Sequence, residues 1–195
     1  ISPEVFIPIA EDTGSIVALG EWVLREACRT AATWPDDYAV SVNVSTVQFK
    51  VATLPDLVAT VLAETDLHPS RLELEITESV LMKDRASALH TLNRLKALGV
   101  RIVMDDFGTG YSSLSNLQSF PFDKIKIDRS FIGAIEDDEA ARSIIRAIVD
   151  LGRGLNLPVV AEGVETEAQR RMVADEGCPQ AQGFLFGRPG SAPVF

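Results

Sequence analysis

The sequence is poor in cysteine, in histidine and in positive charge. Cys28 and Cys178 are the only cysteines in 195 residues, too few and too far apart for a disulfide framework or a thiolate metal site, so both are expected to be reduced packing residues. His68 and His90, the only histidines, fall in a loop pattern and a helical pattern and are expected at the surface. Lys and Arg number 18 against 28 Asp and Glu, a net charge of −10, which argues against binding DNA or RNA because that takes a basic stripe. An anionic ligand would need help from metal ions. No apolar run approaches the roughly 20 residues that cross a bilayer, and no basic-then-apolar leader opens the chain. A cytoplasmic domain without membrane contact is therefore expected. Low-complexity stretches, long charge blocks and sequence repeats are also absent.

What is present is ordinary for a folded protein: 46% apolar and 24% charged residues. The length suits one sizeable core and is short for two, so residues 1–195 are expected to form one domain. The chain opens on Ile1-Ser2-Pro3 without a methionine and stops soon after Gly190-Ser191-Ala192-Pro193, and it reads as a piece of something longer.

Element types alternate regularly. After a Pro-containing start, residues 15–34 predict an amphipathic helix, with Ile16, Leu19, Val23 and Ala27 at helical spacing and Pro35-Asp36-Asp37 closing it. Six short apolar segments follow, at 38–43, 72–75, 100–105, 123–128, 158–162 and 181–185, each but the last leading towards a helical pattern. Strands alternating with helices imply parallel βα units, in a closed barrel or an open doubly wound sheet. Polar groups favour the barrel. Asn43, Glu75, Asp105, Asp106, Lys126, Asp128 and Glu162 fall at or near the C-terminal ends of the segments, which a barrel gathers on one face. The expected fold class is therefore α/β, a modified TIM (β/α)8-type barrel whose first two strands are missing upstream of Ile1.

Side-chain parity agrees. Val40, Val42 and Val44 oppose Ser41, Asn43 and Ser45; Leu72, Leu74 and Ile76 oppose Glu73, Glu75 and Thr77; Ile125 and Ile127 oppose Lys124, Lys126 and Asp128. One face is greasy and the other polar. Charges on an inner face cost several kcal/mol per ion unless opposite charges or metals compensate, so a ligand site is the best explanation.

The strongest single signal is Val103-Met104-Asp105-Asp106-Phe107-Gly108-Thr109-Gly110-Tyr111-Ser112-Ser113-Leu114. Adjacent carboxylates repel and so favour a divalent cation, and Gly108, Thr109 and Gly110 begin a loop able to close over a ligand. The plainer reading has the aspartates capping the next turn. Glu75 in Leu74-Glu75-Ile76-Thr77-Glu78-Ser79 is a second candidate ligand, with Glu78 better placed to hold the glycine-rich loop. Glu162 in Ala161-Glu162-Gly163-Val164-Glu165 adds a carboxylate and Asn43 a neutral oxygen, whereas Glu165 reads as a helix N-terminal charge. Oxygen ligands without His or Cys point to Mg²⁺ or Mn²⁺ over zinc. Lys126 is either a salt-bridge partner or a group that orients or deprotonates a water. Asp106-Phe107-Gly108 is not a kinase magnesium motif, since no His-Arg-Asp loop accompanies it, and Gly108-Thr109-Gly110 lacks the P-loop lysine and the dinucleotide spacing.

Taken together and in order, Asn43-Val44-Ser45, Glu75-Ile76-Thr77-Glu78, the Asp105 to Leu114 stretch, Lys126-Ile127-Asp128, Ala161-Glu162-Gly163-Val164-Glu165 and Gln182-Gly183 resemble the EAL domain family of cyclic di-GMP phosphodiesterases. The resemblance covers essentially the whole chain. It implies a modified TIM barrel in which two Mg²⁺ or Mn²⁺ ions activate a water that cuts cyclic di-GMP to linear pGpG. Asn43, Glu75, Asp105, Asp106 and Glu162 would bind metal, Lys126 would assist the water, Glu78 would support the loop from Asp106 to Ser113, and Gln182 would line the site. It also implies a homodimer and flanking sensory or cyclase domains. The Glu-Ala-Leu segment that names the family, whose Glu is a metal ligand in active members, does not occur in the sequence, so the chain alone is expected to be impaired. The alternative is a degenerate EAL domain that binds cyclic di-GMP as a receptor without hydrolysing it.

Overall fold

The computed structural model describes residues 1–82, 84–109 and 114–190. Among them the elements run α1 (Pro3–Asp12), α2 (Ile16–Ala31), β1 (Val40–Asn43), α3 (Thr46–Phe49), α4 (Leu54–Thr65), β2 (Leu72–Thr77), α5 (Ser79–Met82), α6 (Arg85–Ala97) and β3 (Arg101–Phe107). They continue with α7 (Leu114–Ser119), β4 (Lys124–Ile127), α8 (Arg129–Ala134), α9 (Glu139–Leu155), β5 (Val159–Glu162), α10 (Glu167–Asp175) and β6 (Gln180–Gln182). The strands stand in the order β1-β2-β3-β4-β5-β6, and the pairs β1·β2, β4·β5 and β5·β6 are parallel. All six expected strands are present, each displaced by at most a few residues.

One element was not anticipated, and one expectation needs correction. The Pro-containing start is a helix, because Pro3 occupies the first turn, where a missing N–H costs nothing, and Pro8 lies on an exposed side. The last strand ends at Gln182 rather than at residue 185: a turn replaces it, closed by Phe186 N–H donating to the Gly183 carbonyl at 3.1 Å.

The chain forms two compact units. The first takes in Ile1–Met104 and the stretch from Leu114 to Asp123; the second takes in Asp105 to Thr109 and everything from Lys124 to Gly190. In the first unit α2 packs on α4, α3 and β1, and its contact face is apolar at Leu24, Cys28 and Ala31. Burial pushes the Cys28 thiol up to about 11, which suits an inert packing residue. Gly20 allows the close approach of α2 to α3, since a Cβ there would lie 1.7 Å from the Gln48 amide nitrogen. Gln48 cannot yield easily: it closes the capping box that starts α3, with Ser45 Oγ accepting from Gln48 N–H and Gln48 Oε1 from Ser45 N–H. In the second unit α9 lays Ile145, Ile148 and Val149 inward and packs on β4, β5 and α8.

Arg71 ties helix to strand in the first unit. Its buried guanidinium donates to the Ala31, Trp34, Pro35 and Tyr38 carbonyls at 2.8 to 3.2 Å, and to the fully exposed Asp36 carboxylate at 3.2 Å. The carbonyls matter most, because they join the end of α2, where the Ala31 carbonyl also accepts from the Trp34 N–H, to the chain leading into β1. Arg71→Ala is expected to cost about 2–4 kcal/mol, since buried acceptors lose a charged donor. A fall of about 5–15 °C in unfolding midpoint measures this, and Arg71→Lys should restore little because an ammonium lacks the planar fork.

Candidate functional site

β1 and β2 run in register so that Val40, Ser41, Val42 and Asn43 face Leu72, Glu73, Leu74 and Glu75. Asn43 and Glu75 are thus neighbours at the same level of the first unit. Their parity puts both on the polar face with Ser41 and Glu73, while Leu72, Leu74 and Ile76 fill the apolar core on the other. Glu73 and Glu75 are each only 4% exposed. Glu73 accepts from Ser41 Oγ at 3.3 Å and Arg101 Nη1 at 3.4 Å. Asn43 is itself exposed and lines a cavity of about 390 Å³ with Pro3, Ile7, Ile16 and Thr77, so the unexpected helix α1 supplies part of its wall.

Glu78 sits just past β2 and is buried. Both of its carboxylate oxygens lack a hydrogen-bond partner among the described residues. A buried carboxylate in that condition calls for a cation or a donor. The loop it was expected to hold contains Gly110, Tyr111, Ser112 and Ser113, which lie outside the described residues.

The second unit brings together the other acidic candidates. β3 extends past Asp105 to Phe107, so both aspartates lie within the strand rather than ending it. Asp106 adopts a left-handed backbone with φ 53°, uncommon for any residue but glycine and tolerable for Asp. Single oxygens of Asp105, Asp106 and Glu162 lie within 4.8 Å of one another, close enough for one cation to bind all three. The donor set therefore fits a hard divalent ion. Lys126, 4% exposed, places Nζ 3.4 Å from Asp105 Oδ1 and in contact with Glu162 Oε1. The Asp105 oxygen makes no hydrogen bond among the described residues, so its relation to Lys126 is Coulombic.

Asp106 is pushed up to about 6, first by burial, then by the charge of Asp105 and by a side-chain hydrogen bond in which it donates to Asp128; Lys126 works in the opposite sense. Asp128 moves the other way. Burial tends to raise it, but the Ser130 hydroxyl and backbone N–H, the Asp106 hydrogen bond and Arg129 together hold it below the ordinary value. Asp128 thereby also caps α8, as Ser130 N–H donates to Oδ1 at 2.9 Å.

Gly108 follows at φ 101°, and a Cβ there would come within 2.8 Å of the Phe131 ring, so the chain turning away from β3 needs glycine on two counts. Thr109 Oγ1 donates back to the Asp106 carbonyl at 2.9 Å. Gln182 is paired with Glu162 in the β5·β6 register, and both line a cavity of about 220 Å³ with Arg129, Gly163, Glu165, Gly183 and Phe184. Arg129 and the half-exposed Phe184 were not anticipated from sequence. Arg129 directly follows Asp128, and that adjacency is the signal that could have found it. Glu165 is exposed just before the Thr166 cap of α10, as expected for a helix-start charge. His68 and His90 are exposed, and Cys28 and Cys178 buried.

Comparison with known proteins adds four findings. The family model described as EAL domain matches residues 1–189. The chain is 59% identical over 194 residues to an uncharacterized signaling protein of Caulobacter vibrioides, covering 100% of this chain and 24% of the relative. It is 51% identical over 193 residues to the bifunctional diguanylate cyclase/cyclic di-GMP phosphodiesterase MucR of Pseudomonas aeruginosa, covering 97% of this chain and 28% of that protein. The chain thus spans about a quarter of the length of these curated relatives. A solved structure of the PaMucR phosphodiesterase in complex with c-di-GMP matches with TM-score 0.93 at 51% identity, over 97% of this chain and 78% of that one. The fold is accordingly α/β of the modified TIM-barrel type. No helix among the described residues is long and apolar enough to cross a membrane.

The raised Asp106 value has a definite sign. Its folded value lies above the ordinary 3.8, so its contribution to stability is fully present below about pH 4 and is lost as pH rises through about 6. Asp106→Asn keeps a residue tolerant of the left-handed backbone while removing the charge. With metal chelated, the variant is expected to unfold at the same temperature as the parent at pH 4 and at a higher one at pH 8. Lower stability of the variant at pH 8 would count against the burial and repulsion described.

Proposed function

Because the chain belongs to the EAL domain family, we propose that it hydrolyses cyclic di-GMP to linear pGpG with the help of two divalent cations, Mg²⁺ or Mn²⁺, in the cytoplasm. The observation that carries the reading is the approach of Asp105, Asp106 and Glu162 to within 4.8 Å, with Lys126 buried among them. Asn43 and Glu75 complete the proposed ligand set as further oxygen donors. Bound cations supply neutralisation of the phosphate charge and a more acidic water.

The remaining work falls to the chain's own groups. Water adds to one phosphorus, one P–O bond breaks, and the water's proton ends on the departing ribose oxygen. Lys126 is the group proposed to hold or move that proton at Nζ, since it is buried beside two of the carboxylates and cannot stray into solvent. Gln182 and Arg129, on the wall of the 220 Å³ cavity next to Glu162, are suited to orient a guanylate, and Asp128 holds Asp106 in place through their shared hydrogen bond. Glu78, with both oxygens buried, is proposed to support the chain that runs on from Asp106 through Gly108, Thr109 and Gly110. In the longer protein this unit would work beside sensory or cyclase segments and as a homodimer.

The test is turnover of cyclic di-GMP by the intact protein with Mg²⁺ or Mn²⁺ and with a chelator. Product should be pGpG, and chelation should stop its formation. Loss of an outer partner of a metal ligand costs about 10–100-fold, so loss of a ligand in Asp105→Asn or Glu162→Gln is expected to cost more than that. Binding of cyclic di-GMP without any metal-dependent hydrolysis would replace this reading with that of a receptor.

A further inference from the structure

The amine of Lys126 stands where a cation would be expected. Nζ lies 3.4 Å from Asp105 Oδ1 and touches Glu162 Oε1, and these are two of the three carboxylates whose oxygens lie within 4.8 Å of one another. The residue is 4% exposed, so its charge is not diluted by water. β4 stands between β3 and β5 in the sheet, and Lys126 is the β4 residue that reaches the carboxylates of both neighbours.

From this geometry we infer that Lys126 is a built-in competitor for the metal: its ammonium neutralises Asp105 and Glu162, and a divalent ion entering the Asp105, Asp106 and Glu162 set must take those carboxylates over against a positive charge already there. The inference rests on reading that trio as metal ligands and adds what else holds them. Its physics is a cycle with a fixed sign. Lys126 attracts the carboxylates whether or not a cation is present, but it repels the cation. Whether the amine stays beside the ion or is pushed aside, its charge lowers metal affinity. A unit charge a few ångströms away is worth at least about tenfold in binding, even with the screening usual near a protein surface. The repulsion by the lysine doubles with the charge of the ion, as the attraction of the carboxylates does, so the loss of affinity is larger for a divalent ion than for a singly charged one. The lysine also holds β3 and β5 together whenever no such ion is bound. This role differs from proton handling in hydrolysis, which is read in turnover and not in metal affinity.

The experiment is calorimetric titration of Mn²⁺ into the intact chain, stripped with chelator, at fixed pH and ionic strength and without nucleotide. Lys126→Met is expected to bind Mn²⁺ about tenfold or more tightly than the parent, and Lys126→Arg close to the parent. The chelated Met variant should also unfold at a lower temperature than the chelated parent, and saturating Mn²⁺ should raise its midpoint by more than it raises the parent's. A purely structural lysine predicts the lower midpoint but not the tighter binding. If Lys126→Met fails to fold, Lys126→Gln, which keeps a polar hydrogen-bond donor without the charge, is expected to tighten binding likewise. Mn²⁺ binding by the parent with equal or weaker binding by a folded neutral variant overturns this inference and leaves the metal site intact. No Mn²⁺ binding by the parent overturns the metal site itself, and this inference with it.

Discussion

Carboxylates crowded side by side at least partly out of water repel one another, and they persist in a fold only while something positive or some shared proton answers them. The second unit is organised by that requirement. Asp105 and Asp106 are adjacent in β3, Glu162 ends β5, and β4 lies between these strands in the sheet order. Lys126, on the middle strand, is the residue able to reach both sides, and it touches Glu162 while standing 3.4 Å from Asp105. Asp106 is relieved differently: it holds its proton up to about pH 6 and donates it to Asp128. Donors favour the ionised form of Asp128, and Asp128 favours the protonated form of its neighbour, the division of labour expected of a coupled acid pair. The left-handed turn at Asp106 and the crowded glycine at 108 follow from aiming adjacent side chains at one point, which an unbroken strand, alternating its residues, cannot do.

The first unit shows the same constraint resolved for structure in one place and left open in another. Glu73 is answered by Ser41 and Arg101, and Arg71 saturates the carbonyls at the end of α2, so these buried ionic groups serve the fold. Glu78 has two buried oxygens with no hydrogen-bond partner among the described residues. Its desolvation is costly, and nothing among the described residues of β2 and α5 explains it. A group that weakens the fold where it stands is a better candidate for function than one whose partners are complete.

Much of this was legible in the sequence, for reasons that can be stated. Val, Ile and Leu at alternate positions marked which face of β1, β2 and β4 is greasy, and that parity set Asn43, Glu75 and Lys126 on the polar side. The α1 helix was missed because Pro3 and Pro8 look like breakers, although the first is at a helix start and the second faces solvent. The end of β6 was overrun because Phe184 and Leu185 are strand-like residues, yet Gly183 admits a turn that propensity alone does not signal. The expectation of one domain drew on length. The chain passes from one compact unit to the other within β3, between Met104 and Asp105, where no change of composition marks a boundary. Which charges touch was beyond sequence reasoning altogether. Parity gives a face, whereas the contacts of Lys126 with Asp105 and Glu162 depend on the level of each residue across three strands.

The chain carries 28 acidic against 18 basic side chains, so a ligand bearing two phosphates meets an unfavourable field nearly everywhere on it. On the proposed function, Lys126 stands beside Asp105 and Glu162 and is already engaged by both, and Arg129 lines the cavity that Glu162 lines. Cyclic di-GMP then binds well only when divalent ions have shifted the local balance, and the phosphates in turn add ligands and negative charge to those ions. Binding of either must strengthen binding of the other by the same factor, since coupling between two ligands of one site is reciprocal. A lysine that weakens metal binding in the absence of nucleotide sharpens this dependence, because it leaves more of the metal's affinity to be supplied by the phosphates. Metal affinity measured without nucleotide and metal affinity measured during turnover are therefore different quantities in such a site, and the difference between them is the coupling that the buried charges create.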